Sequence, residues 1–242
     1  MKSKDFFYLQ YNKIDWGNQE KTKINSFIND YIVRNVISNH TGDSISIFDI
    51  GFGIGFFFKM LLPALEGKYK NVLIEGCEPS HVNYDYFLKN KPKRLPAGIA
   101  LNTYKKTFQD TETDNKFDFI TAIYVLSHFP SEDLESVIRK VHSMLKNGGR
   151  FVVVLAEEKY LENKLKTEQD LFIEKRNIAY NGKQFKELLH YSDIPKIGKI
   201  VDYNREEAYY LDLFQNNNLK LSHKENLDDN GFICTLFVFE KI

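Results

Sequence analysis

The sequence predicts an α/β fold, a parallel sheet with helices on both faces. Three observations carry this. A glycine-rich turn in "IFDIGFGIGFFF" (47–58) leaves an apolar run and opens a helical one. Strand-like and helix-like segments alternate from 44 to 157, the pattern of βαβ units. Two apolar, strand-like runs close the chain around "DDNG", a spacing short enough for an antiparallel pair.

Taken in order, apolar residues between Glu20 and His40 fall at Ile24, Phe27, Ile28, Tyr31, Ile32, Val36 and Ile37. That is helical spacing with one stripe against a core. "SISIFDI" (44–50) reads as a buried strand, Gly51 to Gly55 as a turn, and Phe56 to Leu65 as a helix that Pro63 kinks or ends early. "NVLIEGCE" (71–78) is a second strand, and "SHVNYDYFLKN" (80–90) a helix capped by Ser80. A weak strand near Ile99–Tyr104 precedes a strong one, "FDFITAIYV" (117–125). Residues 130–149 predict a helix with Ser131 as N-cap, Glu132 and Asp133 in the first turn, and Gly148–Gly149 as its stop. "RFVVVLAE" (150–157) is another buried strand. Residues 158–203 read as polar and partly helical, with turns at "NG" and "IPKIG", and 205–217 as a helix. The expected organisation is a single domain over 1–242, with an N-terminal helical cap (1–40) and an inserted substrate lid (158–203).

Of 242 residues, 43% are hydrophobic, enough for one large core. The 33 basic and 33 acidic residues cancel, so no overall field attracts nucleic acid or an anionic membrane. Cys77 and Cys234 are too few and too far apart for a disulfide framework or a zinc site, and no metal is expected. The N-terminus lacks the apolar stretch of a signal peptide, and no window reaches the roughly 20 apolar residues of a membrane span. A cytoplasmic protein is the expectation.

Gly51, Gly53 and Gly55 let the backbone turn tightly and approach a ligand. The dinucleotide pattern places its third glycine where Phe56 stands, and Phe57–Phe58 occupy the Lys–Ser/Thr positions of a P-loop. Asp49 lies two residues before the first glycine, at the carboxyl end of its strand. A carboxylate there would repel a pyrophosphate, by about 1 kcal/mol at about 4 Å even in bulk water, and would attract a cationic ligand. S-adenosylmethionine (SAM) bears an ammonium and a sulfonium and no phosphate. Glu78 ends the second strand, 27 residues beyond Gly51, where a carboxylate can accept both ribose hydroxyls.

With these residues in place, the sequence resembles the class I SAM-dependent methyltransferases through "IFDIGFGIG", "GCEPS", "KFDFITAIYVLSHF" and "LKNGGRFVVVLAE", over roughly 20–157 and the C-terminal hairpin. The resemblance implies a three-layer αβα, Rossmann-like fold with seven strands ordered 3-2-1-4-5-7-6, the last antiparallel. It implies that Asp49 and the turn Gly51, Phe52, Gly53 and Gly55 face the methionine portion of SAM. Glu78 would hold the ribose with Pro79 beside it, Phe108 and Gln109 the adenine, and the Ile123 backbone would line the cleft. A narrower likeness, to the histamine-methyltransferase branch, runs through "CEPSHVN", "YKKTFQDTE" and "FDFITAIYVL". It adds Asn83 as a cofactor contact. It places Tyr124, Cys234 and Glu20 at acceptor positions, and the Tyr124 and Cys234 departures from that branch speak against histamine itself.

Methyl transfer needs alignment more than a dedicated motif, and none is clear. His128 suits a general base by position and chemistry, or it packs and caps locally. Tyr124 falls near the methyl path. Trp16, with Tyr8 and Tyr11, either cradles an amine acceptor or packs the N-terminus. Tyr160, Tyr180, His190 and Tyr191 fall in the lid. The expected activity is methylation of a small molecule at nitrogen or oxygen by a monomer or homodimer. The alternatives are a protein or peptide methyltransferase and a catalytically silent SAM-binding subunit.

Overall fold

The computed structural model describes residues 25–167, 172–194 and 198–242. A first helix, α1 (Ser26–Tyr31), continues as a π-helical stretch, Ile32–Ile37, whose wider turn closes with the Ser38 amide on the Val33 carbonyl. The central segment follows the expected alternation: β1 (Ser44–Ile50), α2 (Phe56–Leu65), β2 (Asn71–Cys77), α3 (His81–Asn90), β3 (Ile99–Tyr104), β4 (Phe117–Ile123), a 3₁₀ turn (Leu126–His128), α4 (Ser131–Met144) and β5 (Leu145–Ala156). Next come α5 (Glu158–Thr167), β6 (Phe172–Tyr180), β7 (Lys183–Ile194), β8 (Gly198–Arg205), α6 (Glu207–Asn216), β9 (Leu219–Asp229) and β10 (Phe232–Lys241).

Seven strands form one sheet in the order β3-β2-β1-β4-β5-β10-β9. The first five are parallel, and β10 runs antiparallel to both β5 and β9. This is the expected order, with β9 and β10 as sixth and seventh strands. Strand alternation splits the core between two faces. Ile45 and Ile47 of β1 join Val152 and Val154 of β5 beneath α1 and α2, while Phe48 and Ile50 join Phe151 and Val153 beneath α4 and α6. The α4 stripe Leu134, Val137, Ile138, Val141 and Met144 is fully in the core.

Several expectations are corrected. Helix α2 runs through Pro63 to Leu65, because the proline costs one backbone bond in a helix already buried along Phe57, Phe58, Leu61 and Leu62. Ser131 is the first residue of α4 and not its cap. Its hydroxyl binds Glu187 and Arg205 instead. Helix α4 ends at Met144, ahead of Gly148–Gly149, because Leu145 already pairs with Phe117 in the sheet. The largest correction concerns 158–203. Beyond α5 this segment is a second sheet, β6-β7-β8, antiparallel throughout. Asn181–Gly182, φ +47° and +74°, make its first turn, so the "NG" signal was a hairpin signal.

Candidate functional site

The carboxyl ends of β1, β2 and β4 open onto a cavity of about 1350 Å³ that the second sheet also lines. The glycine turn sits at its floor. Gly51 adopts φ +67° and donates its amide to the Cys77 carbonyl at 2.8 Å, tying the turn to the end of β2. Gly53, φ +57°, would carry a Cβ into open space, so this part of the turn faces the cavity. Gly55 does another job. It caps α2 at φ +81°, and a Cβ there would meet the Phe87 ring at 2.4 Å. It serves packing and does not line the cavity, whereas Phe52 does both.

Asp49 lies at the end of β1, 3% exposed, and accepts the Thr121 hydroxyl at 2.6 Å. Burial pushes its carboxyl up to about 7, against the lowering effect of that hydrogen bond, and the nearby Glu78 charge adds to the rise. Glu78 is equally buried. Its Oε2 accepts the Gly53 amide at 2.8 Å, and its Oε1 accepts the Ser80 amide at 2.7 Å and the Asn83 side-chain amide at 3.5 Å. Burial raises it to about 6 while these hydrogen bonds hold it down. Glu78 thus sets the shape of the glycine turn as well as facing the cavity. Ser80 caps α3 as expected, its hydroxyl accepting the Asn83 amide at 3.3 Å.

Pro79, Asn83, Phe108, Gln109 and Ile123 all line the same cavity. Phe108 packs edge-on against Phe48, and Lys140 of α4 donates to the carbonyls of Phe108 (2.7 Å) and Gln109 (3.0 Å), fixing that loop. Tyr124 follows β4 in a left-handed conformation, φ +57°. Its hydroxyl donates to the buried Asp229 at 3.1 Å, and its ring meets Phe232 edge-on. Burial first, then the Cys234 thiol and Asp229, push its phenol pKa up, so it remains a neutral hydroxyl. His128 ends the 3₁₀ turn and lies 2.8 Å, Nδ1 to Oδ1, from Asp202 of β8.

Cys234 is not brought to the cavity. It is fully buried in β10, its thiol near the Leu227 carbonyl and raised by burial to about 11, while its neighbour Thr235 faces the cavity. Trp16 and Glu20, with Tyr8 and Tyr11, lie outside the described residues. Of the residues expected in the lid, His190 lines the cavity. Tyr180 packs on Tyr209 and Tyr160 on Phe232, and the mostly polar cavity face of the second sheet carries Asn177, Lys186, Leu188, His190, Asp202 and Asn204. Sequence reasoning missed Thr121, Asp202 and Asp229. Thr121 had a signal, the only hydroxyl in β4. The two aspartates had none, because their partners lie about a hundred residues away or in another sheet. Among the described residues, no cluster of three or more His, Cys, Asp or Glu could hold a metal, and no helix is long and apolar enough to cross a membrane.

Comparison with known proteins follows the same geometry. A family model described as a methyltransferase domain matches residues 22–221. No curated protein matches in sequence. Among solved structures, a SAM-dependent methyltransferase from Clostridium acetobutylicum superposes with a TM-score of 0.58 at 15% identity, covering 99% of this chain and 97% of that one. Magnesium protoporphyrin IX methyltransferase from Synechocystis, with bound S-adenosylhomocysteine (SAH), gives 0.61 at 12% identity over 99% and 95%. The 1,6-didemethyltoxoflavin-N1-methyltransferase of Burkholderia thailandensis, holding its substrate and SAH, gives 0.60 at 10% identity over 97% and 87%. At these identities the likeness concerns the fold.

Proposed function

This chain belongs to the methyltransferase-domain family, and from that premise we propose that it transfers a methyl group from SAM to a nitrogen or oxygen atom of a small molecule. The observation that carries the reading is Asp49, a buried carboxylate beside a glycine turn that opens onto the cavity. It disfavours a pyrophosphate and favours an ammonium-bearing ligand. Glu78 fits the same ligand. A carboxylate offers about four acceptor sites, and the Gly53, Ser80 and Asn83 donors leave capacity for a ribose hydroxyl. Two of the structures named above contain SAH, which is the demethylated product of SAM.

When bound, SAM supplies a methyl group already activated by its sulfonium. The chain's task is then to align the acceptor, exclude water and take up a proton. Alignment alone is worth about 7–11 kcal/mol of barrier. Ligand pockets usually measure about 300–1,000 Å³. The larger cavity here, about 1350 Å³, supports a second molecule beside the first. We assign its cofactor half to Asp49, Gly51, Phe52, Gly53, Glu78, Pro79, Asn83, Phe108, Gln109 and Ile123. The acceptor half falls to Tyr124, His128 and the polar face of the second sheet, which acts as the substrate-facing wall. That face favours a polar acceptor with several hydrogen-bonding groups over an aromatic amine. The test is a metabolite pool incubated with methyl-labelled SAM. Label should appear in a low-mass nitrogen or oxygen compound. Label found only in protein, or nowhere, would sink the proposal.

A further inference from the structure

The geometry points to Asp202 as the positioning residue that makes His128 a proton acceptor. A carboxylate supplied by the second sheet fixes the imidazole so that Nε2 receives the proton the acceptor loses. The inference rests on the methyl-transfer reading above.

The two residues belong to different sheets and sit 74 positions apart. His128 ends the 3₁₀ turn just past β4, and Asp202 lies within β8. Asp202 Oδ1 lies 2.8 Å from His128 Nδ1. A carboxylate only accepts, so Nδ1 carries the hydrogen, and in the neutral ring the proton-accepting lone pair is on Nε2. Both side chains line the cavity, yet are only 21% and 27% exposed, so this is no solvated surface pair.

The same strand fixes the backbone that carries the imidazole. Arg205, three residues beyond Asp202 at the end of β8, donates to the carbonyls of Leu126 and Phe129, on either side of His128. The second sheet therefore supplies the carboxylate and anchors the turn that must meet it. On its other side Asp202 stands opposite His190 in the ladder, with Oδ2 3.8 Å from His190 Nδ1. Glu78, Glu187 and Arg205 line the same cavity.

In the transfer, the acceptor nitrogen or oxygen forms its new bond to carbon while the carbon–sulfur bond breaks and leaves its electron pair on sulfur. The acceptor's proton passes to Nε2 of His128, and the imidazolium, held by Asp202, releases it to solvent. A second-sheet residue thus takes part in the chemistry through His128.

Two measurements test this. In ¹⁵N-histidine-labelled protein saturated with SAH, NMR should show the neutral form of the His128 ring carrying its hydrogen on Nδ1. The opposite tautomer overturns the proposal, and this arm needs neither a variant nor an acceptor. In the second arm, label transfer from SAM into a cell metabolite extract should fall about 10²-fold in Asp202→Asn. Asp202→Glu should recover part of the rate, and SAH affinity should stay within about twofold in both. An unchanged rate in Asp202→Asn, or rate and SAH affinity falling together, overturns it. If the unaltered protein transfers no label, the underlying methyl-transfer reading fails, while the NMR arm still reports on the pair.

Discussion

Asp49 occupies a place that penalises its own charge. Buried beside Glu78, with the Thr121 hydroxyl as its one hydrogen-bond partner among the described contacts, its carboxyl rises to about 7. Two consequences have opposite signs. In the ligand-free protein, a folded pKa raised above the usual carboxylate value of about 4 stabilises the fold fully below pH 4. That contribution is lost as pH climbs through about 7. Glu78, raised to about 6, adds a loss over the lower part of the window. A cationic ligand group reverses the preference by holding Asp49 ionised, so binding releases a proton below pH 7. SAH affinity is expected to rise by up to about tenfold per unit between pH 6 and 7 and to level off above. Calorimetry in buffers of different ionisation heat should register the released proton, and Asp49→Asn should remove most of the rise between pH 6 and 7, leaving the share of Glu78. An affinity flat from pH 5.5 to 8 would remove Asp49 from the ammonium site. Asp49→Ala and Glu78→Ala should each weaken SAH binding by at least about tenfold, about 1.4 kcal/mol. Glu78→Ala should cost more, because it also releases the Gly53 amide that shapes the turn. Unchanged affinity in both folded variants would refute the assignment.

At the scale of elements, the second sheet is clamped to the main domain at its base. Arg205 is completely buried, 2.9 Å from the equally buried Glu187, and it also reaches Ser131 at the start of α4 and the backbone of the 126–129 turn. The guanidinium also lies against the rings of Tyr209 and Tyr210. Removing one partner of a buried pair typically costs about 3–5 kcal/mol, whereas replacing both by apolar groups is often near neutral. Arg205→Met should destabilise toward the lower end of that range, since Arg176 still pairs with Glu187. Arg205→Met with Glu187→Leu should recover much of the loss. Denaturant unfolding measures both, and a loss under 1 kcal/mol in the single variant would show that the clamp carries little. This sheet is also where sequence reasoning stopped. The main-sheet strands were legible because burial on both faces leaves short, mainly apolar and β-branched runs such as "SISIFDI" and "RFVVVLAE". In β7 a buried row, Phe185, Glu187 and Leu189, alternates with the cavity-lining Lys186, Leu188 and His190, and the buried Glu187 breaks the apolar rhythm. A charged residue reads as surface until its arginine is known. The proposed cofactor half could be named from sequence because Asp49, the glycines and Glu78 sit at fixed offsets from strand ends, and the structure gathers them at one cavity. The acceptor half was not, because Asp202 and Asp229 are placed by tertiary pairing alone.

For the molecule as a whole, the cavity joins parts of the chain that are distant in sequence. Its walls come from the ends of β1, β2 and β4, from β10, and from the second sheet. Beneath it the two core layers share every central strand, so the main sheet cannot lose one face without exposing the other. A ligand in the cofactor half therefore stabilises the cooperative unit, not a local flap. Binding to the folded state alone stabilises by about 2.7 kcal/mol at 100 times the dissociation constant. A chain of this size shifts its melting midpoint by about 2–4 °C per kcal/mol. Together these give an expected rise of about 5–11 °C with SAH. NAD at the same concentration should give none, because its pyrophosphate would face Asp49. The melt should remain a single transition with SAH bound, since the Arg205 clamp couples the second sheet to α4 and the 126–129 turn. An early transition that SAH leaves unmoved would show that the second sheet unfolds on its own and would count against its role as a fixed wall. A shift with NAD equal to that with SAH would overturn the charge argument on which the choice of ligand depends.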